Sequence, residues 1–156
     1  MRTVKAVKGQ SGITYIEILI VVGIVSVLSL VALPSIRLAL QRQDEVELRR
    51  ALREIRTALD EYKKGADQKI FEPEEEDSYG YPPDLETLVK GVETKEKKKL
   101  RFLRRIPVDP FTGKAEWGMR SYQDKPDSKR WGGENVYDVY SLSERKAIDG
   151  SRYRDW

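Results

Sequence analysis

The chain has 156 residues, with 29 Lys and Arg against 26 Asp and Glu, and it contains neither cysteine nor histidine. These counts exclude a disulfide framework, a zinc site built on thiolate and imidazole ligands, and Ser-His-Asp or Cys-His catalysis. Three of the basic side chains and none of the acidic ones lie in the first twelve residues, so the rest of the chain is balanced. A balanced chain lacks the clustered basic charge that nucleic-acid binding requires.

Gly12 begins the stretch Gly-Ile-Thr-Tyr-Ile-Glu, and a run without charge follows from Ile18 to Ile36. About 20 apolar residues are enough to span a bilayer. Glu17 lies at the start of this run, and an ionisable side chain in lipid costs roughly 2.5–3.5 kcal/mol on insertion scales, so it needs a partner. If the chain is cut after Gly12, the new α-amine of Ile13 lies four residues from Glu17. It can then neutralise that carboxylate, or the carboxylate of a neighbouring chain.

This combination resembles the type IV pilin and pseudopilin signature, with Ile13 in place of the usual Phe and Tyr15 in place of the usual Leu. The resemblance rests on a short basic leader, Gly12, Glu17, the apolar run and Pro34. It implies that residues 1–12 are a leader removed by a prepilin peptidase, which cuts between Gly12 and Ile13, with N-methylation of the new amine. It further implies a transmembrane and filament-core helix over residues 13–36, with Glu17 and Pro34 as assembly residues.

Two plainer interpretations compete with this one. A single-span anchor explains the apolar run but leaves Glu17 unexplained. A cleaved secretory signal predicts a small-residue site after the run, and residues 31–33 offer a poor one beside Pro34. The positive-inside rule does not decide the orientation, because basic residues flank both ends of the run. The resemblance implies a cytoplasmic leader, a single span in the inner membrane and a periplasmic domain over residues 37–156.

An amphipathic helix follows Pro34. Its apolar side chains recur at steps of four, three, four and three and therefore lie on one face, which predicts a core stripe of Leu48, Leu52, Ile55, Leu59 and Tyr62. Together the two segments predict one long helix from Ile13 to about Lys64. The helix should bend near Pro34, whose ring removes a backbone hydrogen bond, and should end at Gly65.

Beyond this helix we expect a solvated loop over residues 66–83, with an acid run at Glu72, 74–76 and Asp77. Asp84 predicts the N-cap of a short second helix that closes at Gly91. The lysines between 95 and 99 indicate a solvated turn rather than a partner site. Strands are expected over residues 115–122 and 135–141. The predicted fold is α+β, a long N-terminal helix packed on a small C-terminal antiparallel sheet, as in type IV pilins.

The turn-rich segment 106–113 resembles the Asp-Pro-aromatic segment of the major pseudopilins of type II secretion, and the absence of cysteine favours that class. The implied function is a structural subunit of a pseudopilus that helps to export folded proteins. The implied partners are other copies of the chain, minor pseudopilins, the prepilin peptidase, the inner-membrane assembly platform and membrane lipid. The alternatives are a type IV pilus subunit for adhesion, motility or DNA uptake, and an anchored enzyme, although no pair of carboxylates stands out as catalytic.

The resemblance also raises calcium (Ca2+) binding near the C-terminus. Calcium takes six to eight oxygen ligands, and Asp138, Asp149 and Asp155 are available there. Arg145 and Lys146 lie where an acidic loop would be expected, which counts against calcium. No ligand set is assigned from the sequence.

Overall fold

The computed structural model describes residues 12–73, 78–125, 128 and 130–156, and for residues 31–35 it describes the backbone alone. Residues 1–11 of the predicted leader, most of the acid run, and residues 126, 127 and 129 lie outside this description. The described ranges contain, in order, two helices, four short strands and a terminal 3-10 turn: α1 Tyr15–Asp67, α2 Leu85–Lys90, β1 Val92–Glu93, β2 Lys99–Leu100, β3 Gly118–Arg120, β4 Asp138–Tyr140 and the turn Tyr153–Asp155. The α+β prediction is confirmed. The chain divides into two compact units, the first ending at Leu40 and the second running from Gln41 to Trp156.

The predicted core stripe of α1 is confirmed. Its five large side chains are between 0 and 2% exposed, and Ala51 and Ala58 are buried beside them. They pack in one cluster with side chains from α2, from β4 and its approach, and from the terminal turn, among them Leu88, Val136, Val139 and Tyr153. Within the second unit, the helix therefore provides one wall of the core, and the short strands and loops provide the other.

The predicted end of α1 at Lys64 is wrong by three residues, because the helix continues to Asp67. It ends in a Schellman motif, in which the Ile70 N–H donates to the Gly65 carbonyl at 3.0 Å and the Lys69 N–H donates to the Ala66 carbonyl at 2.9 Å. Lys69 takes the left-handed conformation at φ 55° that glycine usually supplies. Gly65 serves packing instead, since an added Cβ would lie 2.6 Å from the Phe71 ring.

Pro34 lies inside α1, and the helical backbone continues through it. Proline has no N–H, so the carbonyl of Leu30 lacks its usual intrahelical donor at this position. The bend that the sequence predicts here stays a prediction, and the side chain of Pro34 lies outside the description.

Two separate two-stranded antiparallel ladders take the place of the single small sheet that was expected. β3 pairs with β4, opposing Met119 and Val139, and each strand is shorter than its predicted range. Gly118 is required in this ladder because an added Cβ would lie 2.3 Å from the Tyr140 ring. The β1–β2 hairpin was not predicted, since two residues per strand leave no alternating pattern to read.

The turn-rich segment 106–113 is anchored by Asp109, whose side chain is fully buried. One carboxylate oxygen accepts from the Ser141 hydroxyl at 2.6 Å, and the other accepts from the Phe111 N–H at 2.8 Å. Phe111 stacks on Tyr153 with 3.9 Å between ring centroids. This segment therefore joins the residue that follows β4 to the C-terminal turn.

Candidate assembly surface

Gly12 and Ile13 precede α1 and are exposed. A Cβ added at Gly12 would meet no described atom within 4 Å. Packing among the described residues therefore does not require glycine at position 12. Cleavage after Gly12 stays a prediction.

Glu17 lies in the first turn of α1, and its side chain is exposed. The N–H groups of Glu17 and Ile18 both donate to the Thr14 carbonyl, at 3.1 and 3.2 Å, which begins the helix. A carboxylate in this position is favoured by the positive end of the helix dipole. Glu17 also lines a shallow groove of about 200 Å³ together with Ile13 and three aliphatic residues of α1. The structure thus brings Ile13 and Glu17 to one groove, whereas Pro34 lies further along the helix.

The first unit exposes every described side chain between Ile13 and Leu30. The large apolar side chains in this range are between 49 and 78% exposed. The hydroxyls of Ser26 and Ser29 donate to carbonyls one turn earlier, at 2.7 and 2.8 Å, so they are satisfied within the helix. Gly23 has open space where a Cβ would be. Among the residues that the structure describes, no helix is both long and apolar enough to cross a membrane.

In the second unit, Glu45 joins α1 to the C-terminal segment. Its Oε1 accepts from the Ile148 N–H at 2.8 Å, the Tyr153 hydroxyl at 3.0 Å and the Gln41 amide at 3.3 Å. Burial raises the pKa of Tyr153, and the neighbouring Glu45 acts in the same direction, while the hydrogen bond from Gln41 lowers it. The C-terminal segment is therefore held on the helix by a polar network as well as by ring packing.

Arg56 forms a second such anchor. Its guanidinium donates to Asp138 Oδ1 at 2.7 Å and to the main-chain oxygens of Val139 and Trp156, both at 3.0 Å. Arg120 lies 3.6 Å from the other oxygen of Asp138. The guanidinium of Arg56 thus connects α1 to β4 and to Trp156.

The structure does not bring the three carboxylates considered for calcium together into a metal site. Asp138 is paired with two arginines, and Asp155 belongs to the 3-10 turn. Asp149 accepts from the Ser151 hydroxyl at 2.6 Å and from its N–H at 2.9 Å, and these bonds lower the pKa of Asp149. Within the described ranges, no group of three or more carboxylates is arranged to hold a metal ion.

Sequence reasoning missed the roles of Asp109 and Arg56. The Asp-Pro-aromatic segment did mark Asp109 as part of a family pattern, but nothing in the spacing indicated that it is buried. Arg56 follows Ile55 and reads as a solvated residue beside the core stripe. Its partners lie 82 to 100 residues away, so no local pattern could have found them.

Comparison with known proteins identifies the class. No family model and no solved structure matches the chain. The chain is similar to the type II secretion system core protein G of Pseudomonas aeruginosa strain PAO1, with 31% identity over 152 residues. The match covers 91% of this chain and 89% of that protein. Identity at this level over nearly the whole length shows common ancestry, and the chain therefore belongs to the family of the type II secretion core protein G, the major pseudopilins.

Proposed function

We propose that this chain is the structural, non-catalytic subunit of a pseudopilus of type II secretion. A prepilin peptidase cuts between Gly12 and Ile13 and N-methylates the new amine. Residues 13–36 then hold the subunit in the inner membrane, with residues 37–156 in the periplasm, until the assembly platform builds it into a filament with other copies and minor pseudopilins. The observation that carries this proposal is the first unit, whose described apolar side chains are all exposed around one carboxylate, Glu17.

The sequence supports the membrane stage of this cycle. The uncharged run from Ile18 to Ile36 includes residues 31–35, whose side chains lie outside the description. A helix that is apolar on all sides is typical of a membrane span or of a helix buried among others. The subunit would use the first environment before assembly and the second one after it.

The free energies of the two environments favour assembly. Lipid is as apolar as the helix, so helices in a membrane associate through close packing and polar contacts rather than through the hydrophobic effect. In a filament, Glu17 can pair with the Ile13 amine of an adjacent subunit, which removes an unpaired charge from an apolar surrounding. Gly23, Ser26 and Ser29 allow close approach, because glycine offers space and both hydroxyls are already satisfied. A bend at Pro34 would adjust how neighbouring subunits fit.

Mass analysis of the N-terminus tests the processing step. The full chain is co-expressed with a prepilin peptidase. The mass of the intact purified protein and the mass of its N-terminal peptide are then measured. We expect a chain that begins with methylated Ile13, and we expect Gly12→Ala to stay uncut. Gly23→Ala is the matched control, since a methyl group there also meets open space, and this variant should be cut normally. An uncut wild-type chain would contradict the proposal and leave an ordinary anchored domain.

The same cells test assembly. Glu17→Gln keeps the size of the side chain and removes its charge, so it should be cut normally and yet form no filaments by electron microscopy. Glu116→Gln, an exposed carboxylate of the second unit, is the control and should assemble. Filaments displayed on the cell surface at wild-type expression, rather than confined to the periplasm, would favour a type IV pilus subunit instead.

A further inference from the structure

Four tyrosine rings form a cluster on the second unit, here called the tyrosine patch: Tyr79, Tyr81, Tyr122 and Tyr137. Tyr122 is its centre, stacking on Tyr79 at 5.1 Å and on Tyr81 at 6.2 Å, with Tyr137 edge-on at 5.4 Å. The side chains of Tyr79, Tyr122 and Tyr137 are 54, 53 and 46% exposed. These half-exposed rings in mutual contact form a candidate binding surface, because tyrosine is among the residues enriched at binding interfaces.

The backbone holds these rings in place. Tyr79 has a φ of 54°, in the left-handed region that aromatic residues seldom adopt, and Gly80 follows at 78°. The Tyr122 N–H donates to the buried Asn135 side chain at 2.9 Å, and the Tyr137 N–H donates to the Arg120 carbonyl at 2.8 Å. The patch is therefore preorganised by the fold, which lowers the entropy lost on binding.

The surroundings of the patch favour a cation. The Lys63 ammonium already lies 5.8 Å from the centre of the Tyr81 ring, and it pairs with Asp67. Burial raises the pKa of Tyr81, and the negative charges of Asp60 and Asp67 contribute to the same shift. These acids and the ring faces together give a surface that attracts positive charge.

The same chain carries suitable cations in the turn that connects β1 to β2, here called the lysine turn. It comprises Lys95, Lys97 and Lys98, which lie between the strands, and Lys99, the first residue of β2. All four are exposed. Lys98 pairs with Glu96 at 2.9 Å, and the other three form no ion pair with any described residue. The turn has a fixed shape, because the Thr94 N–H donates to the Lys98 carbonyl at 2.8 Å and Lys97 takes a φ of 59°.

We propose that the tyrosine patch of one subunit binds the lysine turn of a second copy of this chain. This contact rests on the proposed function and gives the filament a specific subunit contact outside its helical core. A second copy is the favoured occupant because one chain presents both complementary surfaces. A contact between two different patches is heterologous, so it can repeat from subunit to subunit, and it extends a filament when the rotation between subunits does not close into a ring. The sequence alone favoured a solvated turn for these lysines, and the tyrosine patch is the reason to revise that interpretation.

Disulfide cross-linking tests the contact directly, since the chain has no cysteine of its own. Full-length Tyr122→Cys and Lys97→Cys subunits are expressed together in cells that contain the secretion apparatus, and filaments are oxidised. We expect a cross-linked dimer of the two variants. Lys114→Cys, another exposed lysine whose side chain is 66% accessible, replaces Lys97→Cys in the control and should give no dimer.

A charge test accompanies the cross-linking. Lys97→Glu combined with Lys98→Glu should lower the filament yield by about tenfold, because cation–π contacts are lost and acids then face acids. Lys97→Arg with Lys98→Arg and the single variant Tyr122→Phe should both assemble normally, since they keep the charge and the ring.

The outcomes separate this contact from the proposed function. Wild-type filaments without the cross-link, together with normal assembly of the double Glu variant, would overturn the contact and leave the subunit role intact. Failure of the wild-type chain to form filaments would overturn the subunit role and the contact with it. If the double Glu variant assembles but no longer binds anionic vesicles, the lysine turn serves lipid headgroups and the contact is wrong.

Discussion

The two units of this chain use apolar residues in opposite ways. From residue 12 to residue 30, isoleucine, leucine and valine point outward, and no described side chain among them is buried. In the second unit, the same residue types fill a core in which Leu48, Ile55 and Val139 are fully buried. The second unit therefore builds a core within one chain, whereas the first leaves its described apolar side chains exposed, and the proposed function places these side chains against lipid or other subunits. The buried core of the described chain thus belongs to the second unit, and the exposed apolar surface belongs to the first.

The largest difference between the two units is expected when an isoleucine is replaced by alanine in each and the free energy of unfolding is compared. Ile55→Ala leaves a cavity in the core and should lower the free energy of unfolding by about 2–5 kcal/mol. Ile20→Ala removes a side chain that is 55% exposed and should change that free energy by less than about 0.5 kcal/mol. Denaturant unfolding of the full chain in detergent, followed by the combined fluorescence of Trp117, Trp131 and Trp156, measures both. Equal effects at the two positions would contradict the division between the units.

Asp109 tests whether the core of the second unit depends on a buried carboxylate. Asp109→Ala leaves the Ser141 hydroxyl and the Phe111 N–H without their acceptor. It should lower the free energy of unfolding by about 1–3 kcal/mol. Glu116→Gln is the control on the surface, where its pairing with Lys114 at 3.6 Å is exposed, and a shift within about 0.5 kcal/mol is expected there. A neutral effect of Asp109→Ala in the same unfolding assay would show that the Asp109 side chain does not contribute to holding the segment 106–113.

The smallest expected effect is a loss of stability at alkaline pH, which involves two tyrosines of the second unit. Burial raises the pKa of Tyr153 and of Tyr81 above their ordinary value near 10. A raised pKa in the folded state means that the neutral form is stabilised. The contribution is therefore complete below about pH 10 and is lost as the pH rises through the folded-state pKa. Thermal unfolding between pH 8 and 11 should show this loss.

Tyr153→Phe provides the comparison for the pH experiment. This variant loses the hydrogen bond to Glu45 and should be less stable at pH 8, but its stability should decline less between pH 9 and 11. A decline as steep as that of the wild type would show that ionisation of Tyr153 contributes nothing to the loss.

Local patterns in the sequence predicted much of this molecule because the relevant physics acts over a few residues. The 3.6-residue period located the core stripe of α1, since a helix turns the same face inward at those steps. Asp84 was recognised as an N-cap, and its carboxylate accepts from the Thr87 N–H at 2.7 Å. The Gly12 to Glu17 motif and the apolar run indicated the family before any relative was compared, because all the residues that define the pattern lie within about 25 consecutive positions.

Other features were decided by the tertiary structure alone. The sequence predicted that α1 ends at Gly65, but the helix continues to Asp67, and the Phe71 ring occupies the space beside Gly65 where a side chain would be. Arg56 lies off the core stripe in the sequence, but it binds partners up to 100 residues away. The tyrosine patch joins residues from two loops and the approach to β4. Helical periodicity and capping depend on residues that are close in the sequence, so the sequence alone indicated the two helices and the family motif. Contacts between residues far apart in the sequence depend on which surfaces meet when the chain folds. Only the tertiary structure therefore decided the contacts of Glu45 and Arg56 and the formation of the tyrosine patch.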